Sequence, residues 1–74
     1  MKKPTKYHLR WRFATELKSF RHRHWLTQRY LGHIIGYDAG QVAMFERRKR
    51  YPSALEIQIA YNKMREYAAG KASD

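Results

Sequence analysis

The chain has 74 residues, with 16 Lys and Arg against 6 Asp and Glu, a formal net charge of +10 and no cysteine. A domain near 60 residues buries only about 60% of its unfolded surface, so this length allows one small domain and excludes a large enzyme with an enclosed active site. Without cysteine there is no disulfide framework, thiolate zinc site or thiol nucleophile, and a reducing cytoplasm is the expected compartment.

An apolar fraction of 43%, with 15% aromatic residues, predicts a folded chain, because disordered chains lack the side chains that offset ordering entropy. Residues 1–8 carry Lys2, Lys3, Lys6 and Pro4 without apolar periodicity and read as a mobile basic arm. Leu9, Phe13, Leu17 and Phe20 recur at steps of four, four and three, which predicts a first helix from Leu9 to about Arg23. Thr27 is an N-cap for a second helix, with Leu26 and Leu31 spaced as a hydrophobic staple and Leu31, Ile34 and Ile35 as the inner face. Gly36 ends that helix by taking the left-handed conformation. After about two residues, Asp38 and Gln41 form a capping box for a third helix, 39–47, which buries Val42 and Phe45. The basic run Arg47-Arg48-Lys49-Arg50 then leads to Pro52, which cannot continue a helix. Ser53 and Glu56 form a second capping box, opening a fourth helix with Ile57, Ala60, Tyr61, Met64 and Ala68 inward and Leu55 and Ile59 widening the stripe. Gly70 is the expected end of that helix and of the domain, 9–70, leaving 71–74 as a frayed tail.

So high a positive charge on so small a surface calls for an anionic partner, nucleic acid first and an anionic membrane surface second. The longest apolar runs, such as Leu31 to Tyr37, fall far short of the roughly 20 residues of a membrane helix, so no membrane-spanning segment is expected, and nucleic acid rather than a membrane is the expected partner. Two short helices joined by a tight Gly-containing turn, in a basic all-helical chain, form the helix-turn-helix pattern in which the second helix enters the DNA major groove.

Leu26-Thr27-Gln28, Leu31-Gly32, Ile35-Gly36, Val42, Phe45-Glu46 and Pro52-Ser53 together resemble the Cro/C1-type, XRE-like helix-turn-helix domain of phage repressors and bacterial regulators, over roughly residues 13–64. The resemblance implies a compact all-α, four-helix lambda-repressor-like domain, extending to five helices in many relatives. By the same resemblance, Ala39, Gly40, Gln41, Ala43 and Met44 face the bases. Only Gln41 can make a polar contact there, its amide suiting adenine N6 and N7, while Ala39, Ala43 and Met44 touch at most a thymine methyl. Thr27 and Gln28 match phosphate-contacting positions at the start of helix 2. Arg47, Arg48, Lys49 and Arg50 border the same edge as backbone anchors, and Lys2, Lys3 and Lys6 are candidates for a minor-groove arm. Arg21 and Glu46 match a partly buried ion pair joining helix 1 to helix 3, a structural role. Arg48 stands where relatives have a left-handed Gly, which implies a strained residue or a rebuilt loop. Independently of the family, Gly32 is small where helices 2 and 3 approach, and a larger residue there should misalign helix 3.

Other signals are set aside. His22 and His24, at i and i+2, do not share a helix face and have no acidic cluster beside them, so no metal is expected. Ser19, Ser53 and Ser73 lie in no nucleophile-elbow context and there is no Gly-rich phosphate loop, so neither an enzyme nor a cofactor is expected. The expectation is a sequence-specific regulator of double-stranded DNA, a repressor of bacterial or phage type in the cytoplasm at the nucleoid. It would act as a homodimer through the Tyr61, Met64 and Tyr67 face, or dimerise only on DNA. The rival is a helix-turn-helix antitoxin or adaptor whose main partner is a protein, docking on Trp11, Trp25, Tyr37 and Tyr51. A third class is a cationic RNA binder.

Overall fold

The computed structural model describes residues 6–73, which form α1 (Lys6–Arg23), α2 (Gln28–Ile35), α3 (Ala39–Glu46) and α4 (Ala54–Ser73), with no strand among the described residues. The apolar spacing read from the sequence sets how the helices meet. Phe13, Leu17 and Phe20 of α1, Leu31 and Ile35 of α2, Val42 and Phe45 of α3, and Ile57, Ala60 and Met64 of α4 form one buried cluster. Each large member of this cluster contributes on the order of 1.5–3 kcal/mol of apolar burial. The Phe13 ring is the hub, with Phe45 and Tyr61 each 5.7 Å away at tilted and edge-on angles that suit the ring quadrupoles. α1 packs on α3 and α4, and α2 on α3 and α4, so the short α2–α3 pair rests on a cradle of the two long helices.

Three expectations are corrected. α1 begins at Lys6, so residues 6–8 belong to the helix and Lys6 is not part of a separate arm; Lys2 and Lys3 lie outside the described residues. Lys, Tyr and His have no strong bias against helix, and apolar periodicity cannot mark where a polar first turn starts. α4 runs through Gly70 to Ser73, because a glycine in a right-handed helix costs about 1 kcal/mol and stops it only by turning left-handed. Among the described glycines only Gly36 is left-handed. Leu55 and Ile59 project away from the core, 70% and 43% exposed, because the helical period places them opposite Ile57 and Met64. Part of the Tyr61, Met64 and Tyr67 face is engaged within the chain. Met64 is in the core, and the Tyr67 ring meets Phe20, His24 and Tyr30 edge-on at 6.0, 5.7 and 6.2 Å.

Three helix ends share one backbone device. In a Schellman motif the residue just past the helix turns left-handed and the next N–H bonds back five residues, satisfying carbonyls the helix leaves open. Gly36 (φ 88) does this after α2, with Gly36 N–H and Tyr37 N–H both donating to Gly32 O at 2.7 and 2.8 Å. Trp25 (φ 57) does it after α1, where Leu26 N–H donates to Arg21 O at 2.8 Å. Arg48 (φ 59) does it after α3, where Lys49 N–H donates to Met44 O at 2.9 Å. Only the first of the three uses glycine.

Candidate nucleic-acid interface

The α2–α3 pair is fixed from its ends inward. At the start of α2, Thr27 Oγ1 accepts from Tyr30 N–H at 3.0 Å. At the start of α3 the capping box is complete, Asp38 Oδ1 accepting from Gln41 N–H at 2.7 Å and Gln41 Oε1 accepting from Asp38 N–H at 3.0 Å. Between them the constraint on Gly32 differs from the one expected. A Cβ there would collide with the carbonyl oxygen of Tyr37 and lie 3.3 Å from the Asp38 carbonyl carbon, so the turn's own backbone, rather than side chains of α3, demands glycine. A Cβ on Gly36 would meet only an ordinary contact, Lys63 Nζ at 3.5 Å, so glycine is required there by its backbone angle alone.

A buried brace orients α3 against the rest. Glu46, 3% exposed, accepts from Arg21 Nε at 2.9 Å and from Arg21 Nη2 at 3.0 Å, a bidentate pairing. Arg21 Nη1 also donates to Leu26 O at 3.3 Å, and Gln28 Nε2 donates to Glu46 Oε1 at 3.4 Å. One carboxylate thus ties α1, the α1–α2 turn and the first residue of α2 to the last turn of α3. Donating hydrogen bonds to Glu46 raises the Arg21 pKa, partial burial opposing it, so the guanidinium stays charged throughout the accessible pH range. Gln28, assigned to a phosphate from sequence, therefore also has a positioning role, with one amide hydrogen on Glu46 and the other left to donate.

On the outward side of α3, Gly40 and Gln41 are exposed and Ala39, Ala43 and Met44 are half-buried. The five positions lie along one short helix, but the polar one is already engaged: the Gln41 amide oxygen holds the cap. A bidentate adenine contact must share that oxygen or open the box, so Gln41 is a poorer base reader than its residue type suggests.

The basic run divides. Arg47, Lys49 and Arg50 are exposed just past α3. Arg48 is not one of this set, because its guanidinium is engaged within the chain. Its guanidinium carbon lies 3.8 Å from the centre of the Trp11 ring, and its Nη2 donates to Thr15 Oγ1 at 2.8 Å and to Trp11 O at 3.4 Å. The left-handed backbone turns this side chain back onto α1, where stacking and hydrogen bonds engage it. A nearby contact that sequence reading missed is Tyr37 Oη donating to Glu56 Oε2 at 2.9 Å. Burial first, and then that bond, push the Tyr37 pKa up to about 12. Residues 37 and 56 are too far apart in sequence for any local pattern to announce the pair.

Among the described residues no group of three or more His, Cys, Asp or Glu gathers as metal ligands, and no helix is long and apolar enough to cross a membrane. His24 packs its ring against Phe20 at 4.4 Å, while His22 is exposed. Comparison of the chain with protein-family models, curated proteins and solved structures finds no match.

Proposed function

We propose that this chain binds double-stranded DNA as a transcriptional regulator, placing α3 in the major groove and acting as a repressor by occluding a promoter in the bacterial or phage-infected cytoplasm. The observation that carries the reading is the α2–turn–α3 unit, locked by the Arg21–Glu46–Gln28 brace, whose small exposed face is bordered on its C-terminal side by the free cations Arg47, Lys49 and Arg50. A short helix of small side chains lets the protein backbone approach the groove closely, while the cations and the first turn of α2 have phosphates within reach. The formal net charge of +10 supports the same partner.

The test is in vitro selection of duplex DNA by the purified chain, with affinities measured at two salt concentrations. Three cations at phosphates, Arg47, Lys49 and Arg50, give a slope of about −3 in log K against log salt per chain, steeper by about 0.9 for each further cation that meets a phosphate. An enriched motif with such a slope supports the proposal, and a two-fold symmetric motif adds that the chain acts in pairs. Salt-sensitive binding without enrichment points to a general polyanion binder, with RNA included. Absence of duplex binding points to the rival reading, an antitoxin-like or adaptor module that docks a protein, which the exposed Leu55 and Ile59 favour.

A further inference from the structure

Trp25 has properties that the core and the brace leave unexplained. Its side chain is 91% exposed, and among the described residues no ring, cation or hydrogen-bond acceptor engages the indole. Its backbone is left-handed at φ 57, a conformation in which glycine is unstrained and a bulky side chain is not. The turn is nonetheless firmly held, with Trp25 N–H donating to His22 O at 3.3 Å and Leu26 N–H to Arg21 O at 2.8 Å. A large apolar ring is thus projected into water from a fixed turn, at a backbone cost that no internal contact offsets. Arg48, the other bulky left-handed residue, does have such contacts.

The surroundings narrow what the ring meets. Beside it lies an open hollow of about 500 Å³ formed with Arg21, His22, Leu26 and Thr27. Thr27 is the N-cap of α2, so Trp25 stands two residues from the edge of the proposed DNA footprint. The sequence has no Asp or Glu between Glu16 and Asp38, and Lys18, Arg23 and Arg29 of that stretch are exposed. A partner suited to this stretch carries negative charge together with a flat apolar surface. The sugar–phosphate backbone does so, with a deoxyribose C–H face between two phosphates, and the indole N–H is a donor suited to a phosphate oxygen.

We propose that Trp25 is a DNA-backbone contact, its indole lying against a deoxyribose at the α2 edge of the duplex while Arg23 and Arg29 face the flanking phosphates. This rests on the DNA-binding reading above and adds to it a contact outside the α3 face.

The experiment compares the full chain with its Trp25→Gly and Trp25→Phe variants for binding to the selected duplex at two salt concentrations, together with thermal unfolding of each. Trp25→Gly should weaken binding about five- to twentyfold. The salt slope should not change, since no cation is removed. Trp25→Phe should recover most of the affinity. Glycine suits the left-handed turn, so its variant should unfold no earlier than the parent, which separates lost contact from lost structure. Equal duplex affinity of Trp25→Gly and the parent overturns the inference while leaving the DNA reading intact. A parent that binds no duplex at either salt concentration overturns the DNA reading itself, and this contact with it.

Discussion

Two helix ends of this chain place a bulky residue where glycine is easiest, and the structure assigns opposite signs to correcting them. At Trp25 and Arg48 the left-handed backbone costs a side chain roughly 1–2 kcal/mol, and glycine returns about 0.5–1 kcal/mol of that through its freer unfolded state. The backbone alone therefore favours glycine by about 0.5–1 kcal/mol at either site. Trp25 has nothing to set against it, being 91% exposed and unpartnered at its side chain. Arg48 loses its bond to Thr15 Oγ1 at 2.8 Å, about 1 kcal/mol after allowance for its partial exposure, and its stacking on Trp11 at 3.8 Å, about 0.5–2 kcal/mol. Trp25→Gly should thus stabilise the fold by about 0.5–1 kcal/mol and Arg48→Gly should destabilise it by about 1 kcal/mol. In a domain of this size those changes move Tm up by about 2–8 °C and down by about 4–8 °C. Differential scanning calorimetry of the three proteins at one pH and one salt concentration decides the matter. Shifts of the same sign in both variants would refute the reasoning, since the backbone term is common to the two sites and only the side-chain contacts differ.

Three further outcomes follow from the interface. Removing the brace by Glu46→Ala leaves the Arg21 guanidinium without its partner, which should cost about 3 kcal/mol, the lower end of the range because Arg21 retains some solvent contact; a urea midpoint shift corresponding to less than about 1 kcal/mol would contradict the role given to Glu46. Gly32→Ala should destabilise by more than about 2 kcal/mol because the new methyl meets fixed backbone at Tyr37, whereas Gly40→Ala, 3.4 Å from Asp38 Oδ1, should be neutral or stabilising by up to about 1 kcal/mol; circular-dichroism melts that rank the two the other way would exclude the turn geometry. The Tyr37 hydroxyl titrates near 10 when unfolded and near 12 when folded, so the unfolded chain loses its proton first and stability should fall as pH rises from 10 to 12, having been full below that window. Tyr37→Phe should flatten this part of the alkaline loss, leaving the share of Tyr61, whose pKa burial also raises; parallel alkaline profiles for the two proteins would show that neither the burial of the Tyr37 hydroxyl nor its bond to Glu56 persists in solution.

Legibility from sequence tracked how local each signal was. Thr27, Gly36 and the Asp38–Gln41 box act within four residues of themselves, so their residue types announced the ends of α2 and α3 directly. The buried stripes of α1 and α4 follow from period alone, whereas Leu55 and Ile59 are apolar residues at helical angles that face away from the core, so residue type misleads there and angle does not. The end of α1 carried no glycine to mark its left-handed turn, and Trp25 is the type least expected there. The bonds from Arg48 to Thr15 and from Tyr37 to Glu56 join positions far apart in the chain, and no residue pattern encodes them.

The division of the basic run has the widest consequence, because charge in a sequence is not charge at a surface. Four consecutive cations after α3 suggest a fourfold clamp, yet a chain leaving a helix through a Schellman turn must send successive side chains in different directions. Arg48, at the left-handed position, is directed onto α1 and becomes part of what holds the α3–α4 loop in place. Arg47 before it and Lys49 and Arg50 after it remain exposed. Neutralising Arg48 should therefore disturb the loop that presents the other three, whereas neutralising Arg50 should remove one cation and leave the fold unchanged. A salt slope reduced by about one unit for Arg50→Gln with Tm held is the signature of a phosphate contact. Lowered Tm for Arg48→Gln is the signature of a loop clamp, and an Arg48→Gln variant that lost slope at constant Tm would return Arg48 to the DNA-facing set.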